Sequence, residues 1–481
     1  MGEHPVLSPE LPASNPAPAS AEGGLLAQRV GLAQSKHPGQ SGFRLVSAGP
    51  EAYALRAYTA QLAVSTLDIQ TYIWKADLTG RLLAGHVLQA AIRGVRVRIL
   101  VDDLDARTNG CGLLALDAHP NVEVKVYNPP LAFSNWAGLN HRMHNKSWIA
   151  DSKIALVGGR NLGDEYFDAH AGTNFVDLDF LMAGTVVGEA AASFEAFWDA
   201  PSTVSISTRP PCGTREAREA LATLSVAHTR GELARSPYAQ VLHADPRVRQ
   251  LLVGDTTLQW TSRWSFVSDD PIKGHLPVGG RSAVMKQLVP IMHAAEHRLR
   301  MISPYFVPGV HGTKELIARC TAGVEVEVLT NSLAANDVAA VHGGYASYRS
   351  TLLGGNVGLW EKKPLAHSPA GASAEFASSL HTKALVVDDS VLFVGSFNMD
   401  QRSQHLNTEQ GVVVYDRELA RQMTSIFEQQ IGGDLAWRVS LSQGRIQWND
   451  GARTLTREPD AGRSKRLQAW LSRVLPVESQ L

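Results

Sequence analysis

The chain has 481 residues, 44% of them hydrophobic and 19% charged, with a formal net charge of −1. This is a globular composition with ample apolar surface for large cores. Neutralising many phosphates takes a clear Lys/Arg excess, so the charge balance argues against a general polyanion binder and no nucleic-acid partner is expected.

Residues 1–22 are rich in Pro, Ala and Ser. Such a stretch cannot bury enough apolar surface to offset its ordering entropy and reads as disordered. No basic region followed by an apolar one marks a secretory signal. No stretch reaches ~18 uninterrupted apolar residues, the best, Leu82 to Val101, being broken by Arg93, Arg96 and Arg98. Contact with a membrane is therefore expected to be peripheral. The three cysteines, Cys111, Cys212 and Cys320, lie far apart and are odd in number. That predicts free, mostly buried thiols and a reducing, cytoplasmic setting.

The remainder repeats internally. Leu67-Asp68-Ile69-Gln70-Thr71-Tyr72-Ile73-Trp74 opens the first copy, followed by a helix over Gly80 to Arg93, then Gly94 and a strand from Val95 to Val101. Leu299 to Phe306 opens the second, followed by a helix over Thr313 to Thr321, then Gly323 and a strand from Val324 to Leu329. Strand, helix, glycine and strand in one order describe a βαβ unit, so each half is expected to hold a sheet flanked by helices. The first lobe is assigned to 23–200 and the second to 286–481. Residues 201–285 have no evident counterpart and read as linker and decoration, with Trp260 and Trp264 packed.

The chemistry lies further along each copy. His-x-Lys-x4-Asp occurs at His144, Lys146 and Asp151, and again at His381, Lys383 and Asp388. Each motif precedes a short apolar strand, Ile154 to Val157 and Val391 to Val394. Each strand ends in a glycine turn, Gly158-Gly159-Arg160-Asn161 and Gly395-Ser396-Phe397-Asn398. In extended backbone, residues i and i+2 face one side, so each His–Lys pair projects together. Bringing the two copies together gathers two His, two Lys and two Asn into one volume suited to a phosphate. Lysine charge and amide donors there stabilise a five-coordinate transition state. Gly159 lets the backbone approach, and Ser396 either donates to phosphate or caps its turn.

Two histidines at one phosphorus imply double displacement, one attacking and the other exchanging the proton of the leaving and incoming alcohols. Each ring needs an acceptor at its second nitrogen. By chain proximity Asp177 is assigned to His144, with Asp179 as fallback, and Glu409 to His381. Asp151 and Asp388 belong to the motif's catalytic set, although holding a turn or pairing with a neighbouring base suits them better than proton transfer. Asp102 and Asp103 close a strand where ligands often sit, or cap a helix. His342, Tyr345 and Arg349 share a helix face that meets either a lipid head group or the core.

These paired motifs resemble the HKD motifs of the phospholipase D superfamily, at 139–166 and 376–403. Further stretches are similar to the C-type bacterial cardiolipin synthases: Tyr72-Ile73-Trp74, Gly158 to Phe167, Leu329 to Ala335, Asp337 to His342 and Gly395 to Ser403. The resemblance implies an α/β fold of two α/β/α sandwich lobes related by a pseudo-twofold axis, with the site at their interface. It implies transfer of a phosphatidyl group from a donor phospholipid to phosphatidylglycerol through a covalent phosphohistidine, with no metal or cofactor. It implies His144 as nucleophile and His381 as acid and base. The same half-reaction serves a phospholipase-type hydrolase, which the motifs do not separate from a transferase. Some relatives carry an N-terminal lipid-attachment or membrane segment. Here that region is polar, and the apolar loop Pro129 to Trp136 is the candidate for interfacial insertion.

Overall fold

Gly94 and Gly323 adopt φ of 97° and 92° in the computed structural model. Each ends a helix in the left-handed conformation that favours glycine, and each releases the chain into a buried parallel strand. The structure describes residues 23–129, 140–210, 212–252, 257–275, 282–364, 366–367, 376–432 and 434–474. The polar N-terminal tail and most of the apolar loop singled out above lie outside them.

The first half contains β1 (Ser41–Val46), β2 (Thr66–Thr71), β3 (Arg96–Asp102), β4 (Val122–Tyr127), β5 (Ser147–Ala150), β6 (Ile154–Gly158), β7 (Thr173–Val176), β8 (Asp179–Gly184) and β9 (Thr203–Ser205). With β10 (Gln259–Thr261), eight of these form a nine-stranded sheet in the order β10-β1-β8-β6-β5-β2-β3-β4-β9. The second half contains β11 (Trp264–Ser268), β12 (Arg298–Ile302), β13 (Glu325–Asn331), β14 (Gly358–Lys362), β15 (Ala366–His367), β16 (Phe376–Leu380), β17 (Ala384–Val387), β18 (Val391–Gly395), β19 (Gln410–Val414), β20 (Ala436–Ser442), β21 (Arg445–Asn449) and β22 (Thr454–Leu455). Ten of these form the sheet β11-β19-β18-β17-β12-β13-β14-β20-β21-β22. The two orders superpose strand for strand from β1/β11 to β4/β14.

The duplication therefore begins earlier than the sequence pattern suggested. β11 occupies the place of β1, and residues 201–285 complete both sheets rather than only joining them. Within that segment β10 pairs with β1 and β11 pairs with β19.

Helices α1 (Leu25–Ser35), α2 (Gly49–Leu62), α3 (Leu78–Ile92) and α4 (Asp103–Asp117) precede β4, and α5 (Thr185–Trp198) follows β8. Asp77 caps α3 by accepting from the Gly80 amide, and Asp102 caps α4 at Leu104. Next come α6 (Thr214–Thr223), α7 (Val226–Arg235), α8 (Tyr238–Ala244) and α9 (Pro246–Leu252), then α10 (Ala283–His293), α11 (Gly309–Thr321), α12 (Ala339–Gly354), α13 (Gln401–His405), α14 (Arg417–Ile431) and α15 (Arg463–Val474). Each sheet thus has helices on both faces.

Between the sheets lies one apolar core drawn from both halves. Phe43, Leu100, Ile149, Phe180 and Phe194 meet Ile302, Leu329, Val386, Val412 and Phe427 there. Helix α5 packs on β11 and α14 on β1. Each half thus covers apolar surface of the other, which holds the two carboxyl-terminal sheet edges in register. Among the described residues no helix is long and apolar enough to cross a membrane.

The expectation of three free thiols is corrected. Cys111 in α4 and Cys212, just before α6, form a disulfide, leaving Cys320 free. The partners are 101 residues apart in sequence, and parity could not reveal that α6 packs across α4. The thiol argument for a reducing compartment falls with it.

Candidate active site

The two motif histidines are held by backbone that crosses between the halves. Strand β16 runs parallel to β7 with Leu380 opposite Val176. The next residues, His381 and Asp177, therefore stand side by side, with the His381 amide donating to the Val176 carbonyl at 2.8 Å. The same device recurs at the other motif, where Met143 bridges Thr408 in parallel. The His144 amide donates to Thr408 at 2.9 Å, and the following pair is His144 and Glu409.

This reverses the expected carboxylate assignment. His144 Nδ1 lies 2.9 and 3.1 Å from the two Glu409 oxygens, and His381 Nδ1 lies 2.6 Å from Asp177 Oδ2. Each ring is served by the acid of the opposite half, which proximity along the chain could not show. Asp179, the fallback, instead pairs with Arg56 and Arg160. With Nδ1–H donated to a carboxylate, Nε2 of each ring carries the lone pair.

Electrostatics ties the two motifs into one site. Burial holds His144 well below the usual imidazole range, and the charges of Lys146, Lys383 and His381 push it the same way. Burial and Lys383 also lower His381, while Asp177 pulls against them. Burial alone would raise the Asp177 carboxyl, but His381, Lys383 and Arg160 outweigh it and hold it below the ordinary value. Burial dominates at Glu409 and lifts it to about 6. Burial also lowers Lys383 to about 8 and takes Lys146 well below the usual amine range. Both ammonium groups reach back to the carbonyl of their own histidine.

His144 and Lys146, like His381 and Lys383, precede β5 and β17 rather than lying within them. The strands instead carry the chain away to Asp151 and Asp388, seven residues and roughly 20 Å beyond each histidine. Those aspartates leave the candidate catalytic set. Asp151 accepts from the amides of Val64, Ser65 and Thr66, and Asp388 from those of Glu296, His297 and Arg298. Each sits at positive φ in the turn after its strand and fastens the start of the neighbouring antiparallel strand, β2 or β12.

The turn residues divide. Asn161 is buried, accepting from the Ile73 amide at 3.3 Å and donating to the Tyr166 hydroxyl at 2.8 Å. Asn398 is also buried, and its Oδ1 has no hydrogen-bond partner. Two expected phosphate contacts are corrected. The Ser396 hydroxyl donates to Glu409 Oε2 and accepts from the Gln410 amide, so its hydrogen bonds are spent orienting the acid. Gly159 stands at the equivalent turn position, where a Cβ would meet Asp177 Oδ1 at 2.2 Å. One half thus uses a hydroxyl to hold its acid, and the other omits a side chain to admit its own.

Sequence reasoning gave no role to the aromatic rings beside the histidines and took Asp102 only as a strand end or a helix cap. Tyr72 stands edge-on to His144 at 5.3 Å between centroids, and Tyr166 and Phe175 flank His381 at 5.1 and 5.2 Å. Asp102 caps α4 and also accepts from the Met143 amide at 2.9 Å, directly before His144. At the equivalent strand end, Asn331 accepts from the Leu380 amide and donates to the Leu380 carbonyl, each at 2.9 Å. The shared place of Asp102 and Asn331 in the repeat was the available signal. His342, Tyr345 and Arg349 face the core. Arg349 donates to His342 at 2.8 Å and pairs with Glu361 and Glu458.

Comparison with known proteins shows the family. The family model described as "Cardiolipin synthase, PLD-like domain" matches residues 59–198 and 288–431, one span per half. The chain belongs to the cardiolipin synthase family of phospholipase D-like proteins. Within it, cardiolipin synthase C of Escherichia coli K12 is 38% identical over 462 residues, covering 92% of this chain and 97% of that protein. The major cardiolipin synthase ClsA of Bacillus subtilis 168 is 25% identical over 76% of this chain and 64% of that protein. Among solved structures, a phosphatidylserine synthase from Haemophilus influenzae shares the fold with a TM-score of 0.62. It is 12% identical and covers 94% of this chain and all of that one.

Proposed function

We propose that this family member is a phosphatidyltransferase that forms cardiolipin from phosphatidylglycerol and a donor phospholipid through a phosphohistidine. The crossed His–carboxylate pairs carry the reading, because they leave two Nε2 atoms to serve one phosphorus. Neutral His144 attacks, forming an N–P bond as the P–O bond to the leaving alcohol breaks. His381 gives that alcohol its proton. His381 then takes a proton from the hydroxyl of phosphatidylglycerol, whose oxygen displaces His144. Lys146, Lys383 and the Asn161 and Asn398 amides face the non-bridging oxygens, whose charge favours the protonated lysines.

The asymmetry of the acids supports this division of roles. His144 is the ring held furthest toward its neutral form. Asp177 stays ionised to low pH and steadies a proton on His381. The bilayer contact is peripheral in this reading. The deciding experiment supplies labelled phosphatidylglycerol, alone and with phosphatidylethanolamine, to the purified protein and identifies the lipid products. Labelled cardiolipin is expected, and phosphatidic acid as the sole product would make the protein a hydrolase.

A further inference from the structure

Helix α15 turns its large apolar side chains the wrong way for a helix that only covers the protein. At 3.6 residues per turn, Leu467, Trp470 and Leu471 share one face, and Ala469 and Ser472 lie on the opposite one. The small pair is buried. Ala469 packs with Leu333 and Ala339. It and Ser472 press so closely on Gly343 of α12 that a Cβ there would lie 2.0 Å from Ser472 Oγ. The large residues stand outside, Leu467, Trp470 and Leu471 being 57%, 56% and 42% exposed. A surface helix stabilised by its core contact shows the reverse pattern.

Charge adds a second observation. Arg463–Val474 holds Arg463, Lys465, Arg466 and Arg473 and no acidic residue, in a chain whose net charge is −1. Arg463, Arg466 and Arg473 are exposed on or beside the apolar face. Lys465, on the packed side, donates to the carbonyls of Ala334 and Asn336. That ties the helix to the loop carrying Asp337 and the exposed Val338. Asp337 accepts from the Tyr305 hydroxyl, and its charge bears on Lys383. The packed side of α15 is thus fastened to a loop whose Asp337 lies within electrostatic reach of Lys383.

We infer that α15 docks the protein on an anionic lipid bilayer, with Leu467, Trp470 and Leu471 at the acyl boundary and Arg463, Arg466 and Arg473 among the head-group charges. Exposed tryptophan and leucine beside a basic flank suit an interface that is apolar below and negative above. The inference goes beyond the reaction, since adsorption requires no turnover.

The test is co-sedimentation of the full chain with phosphatidylcholine vesicles, with and without phosphatidylglycerol, at low and high salt. Wild type should bind the anionic vesicles and be released from them by salt. The triple variant Leu467→Ser, Trp470→Ser, Leu471→Ser should lose about tenfold or more in partitioning. It should keep its thermal midpoint and its turnover of short-chain lipid in detergent micelles. The pair Arg463→Glu, Arg473→Glu should lose the preference for phosphatidylglycerol while the apolar face is intact. Unchanged vesicle binding in both variants overturns the inference. So does a wild-type dimer that the triple variant dissolves without altered vesicle binding, because the face would then belong to a second copy. If the reaction assignment is wrong, turnover fails for wild type while vesicle binding persists, so the two failures are distinguishable.

Discussion

A methyl group on Gly159 would lie 2.2 Å from Oδ1 of Asp177, the carboxylate that receives the Nδ1 proton of His381. The absence of a side chain at one turn thus sets the position of a ring supplied by the other half of the chain. Gly159→Ala should displace Asp177 and with it His381, lowering kcat by roughly 100-fold with little change in KM. Steady-state kinetics checks this, with circular dichroism confirming that the fold persists. Wild-type kcat in the alanine variant would mean that Asp177 does not position the ring.

The proposed division of labour predicts where the covalent adduct forms. With an activated aryl phosphodiester, whose leaving group needs no proton, His381→Ala should still accumulate an acid-labile, base-stable phosphoramidate at His144. His144→Ala should form none. Peptide mapping by mass spectrometry reads the site, and an adduct on His381 in the wild type would exchange the roles.

Two groups bound the pH range. Glu409 must be ionised to accept from His144, and burial has raised it to about 6. Activity should fall as pH drops through that value, because the protonated acid no longer accepts the Nδ1 proton. Lys383 must be protonated to hold phosphate, and burial has lowered it to about 8. Activity should fall again as pH rises past that point. A bell-shaped kcat/KM profile reports these free-enzyme groups. Lys383→Arg, which keeps its charge, should move the alkaline limb upward.

Asp151 and Asp388 should prove structural. Asp151→Ala removes the acceptor for three backbone amides at the start of β2. It should cost about 2 kcal/mol or more in urea unfolding. Asp388→Ala should behave alike at β12. The fraction that stays folded should turn over at nearly the wild-type rate. A large loss of kcat at full stability would return these aspartates to the chemistry.

The duplicated His-Lys spacing and the repeated strand–helix–glycine–strand order already determined the fold class and the residues to be gathered. Such information is local, because periodicity and the positive-φ glycines Gly94 and Gly323 act within a few residues. Which acid serves which ring, that Ser396 and Gly159 act on those acids rather than on phosphate, and that Cys111 meets Cys212 were decided only in three dimensions. Parallel pairing of β16 with β7, and of Met143 with Thr408, joins segments more than two hundred residues apart. Its register depends on apolar packing between the two sheets. That packing is a property of both halves together, and neither half's sequence records its partner.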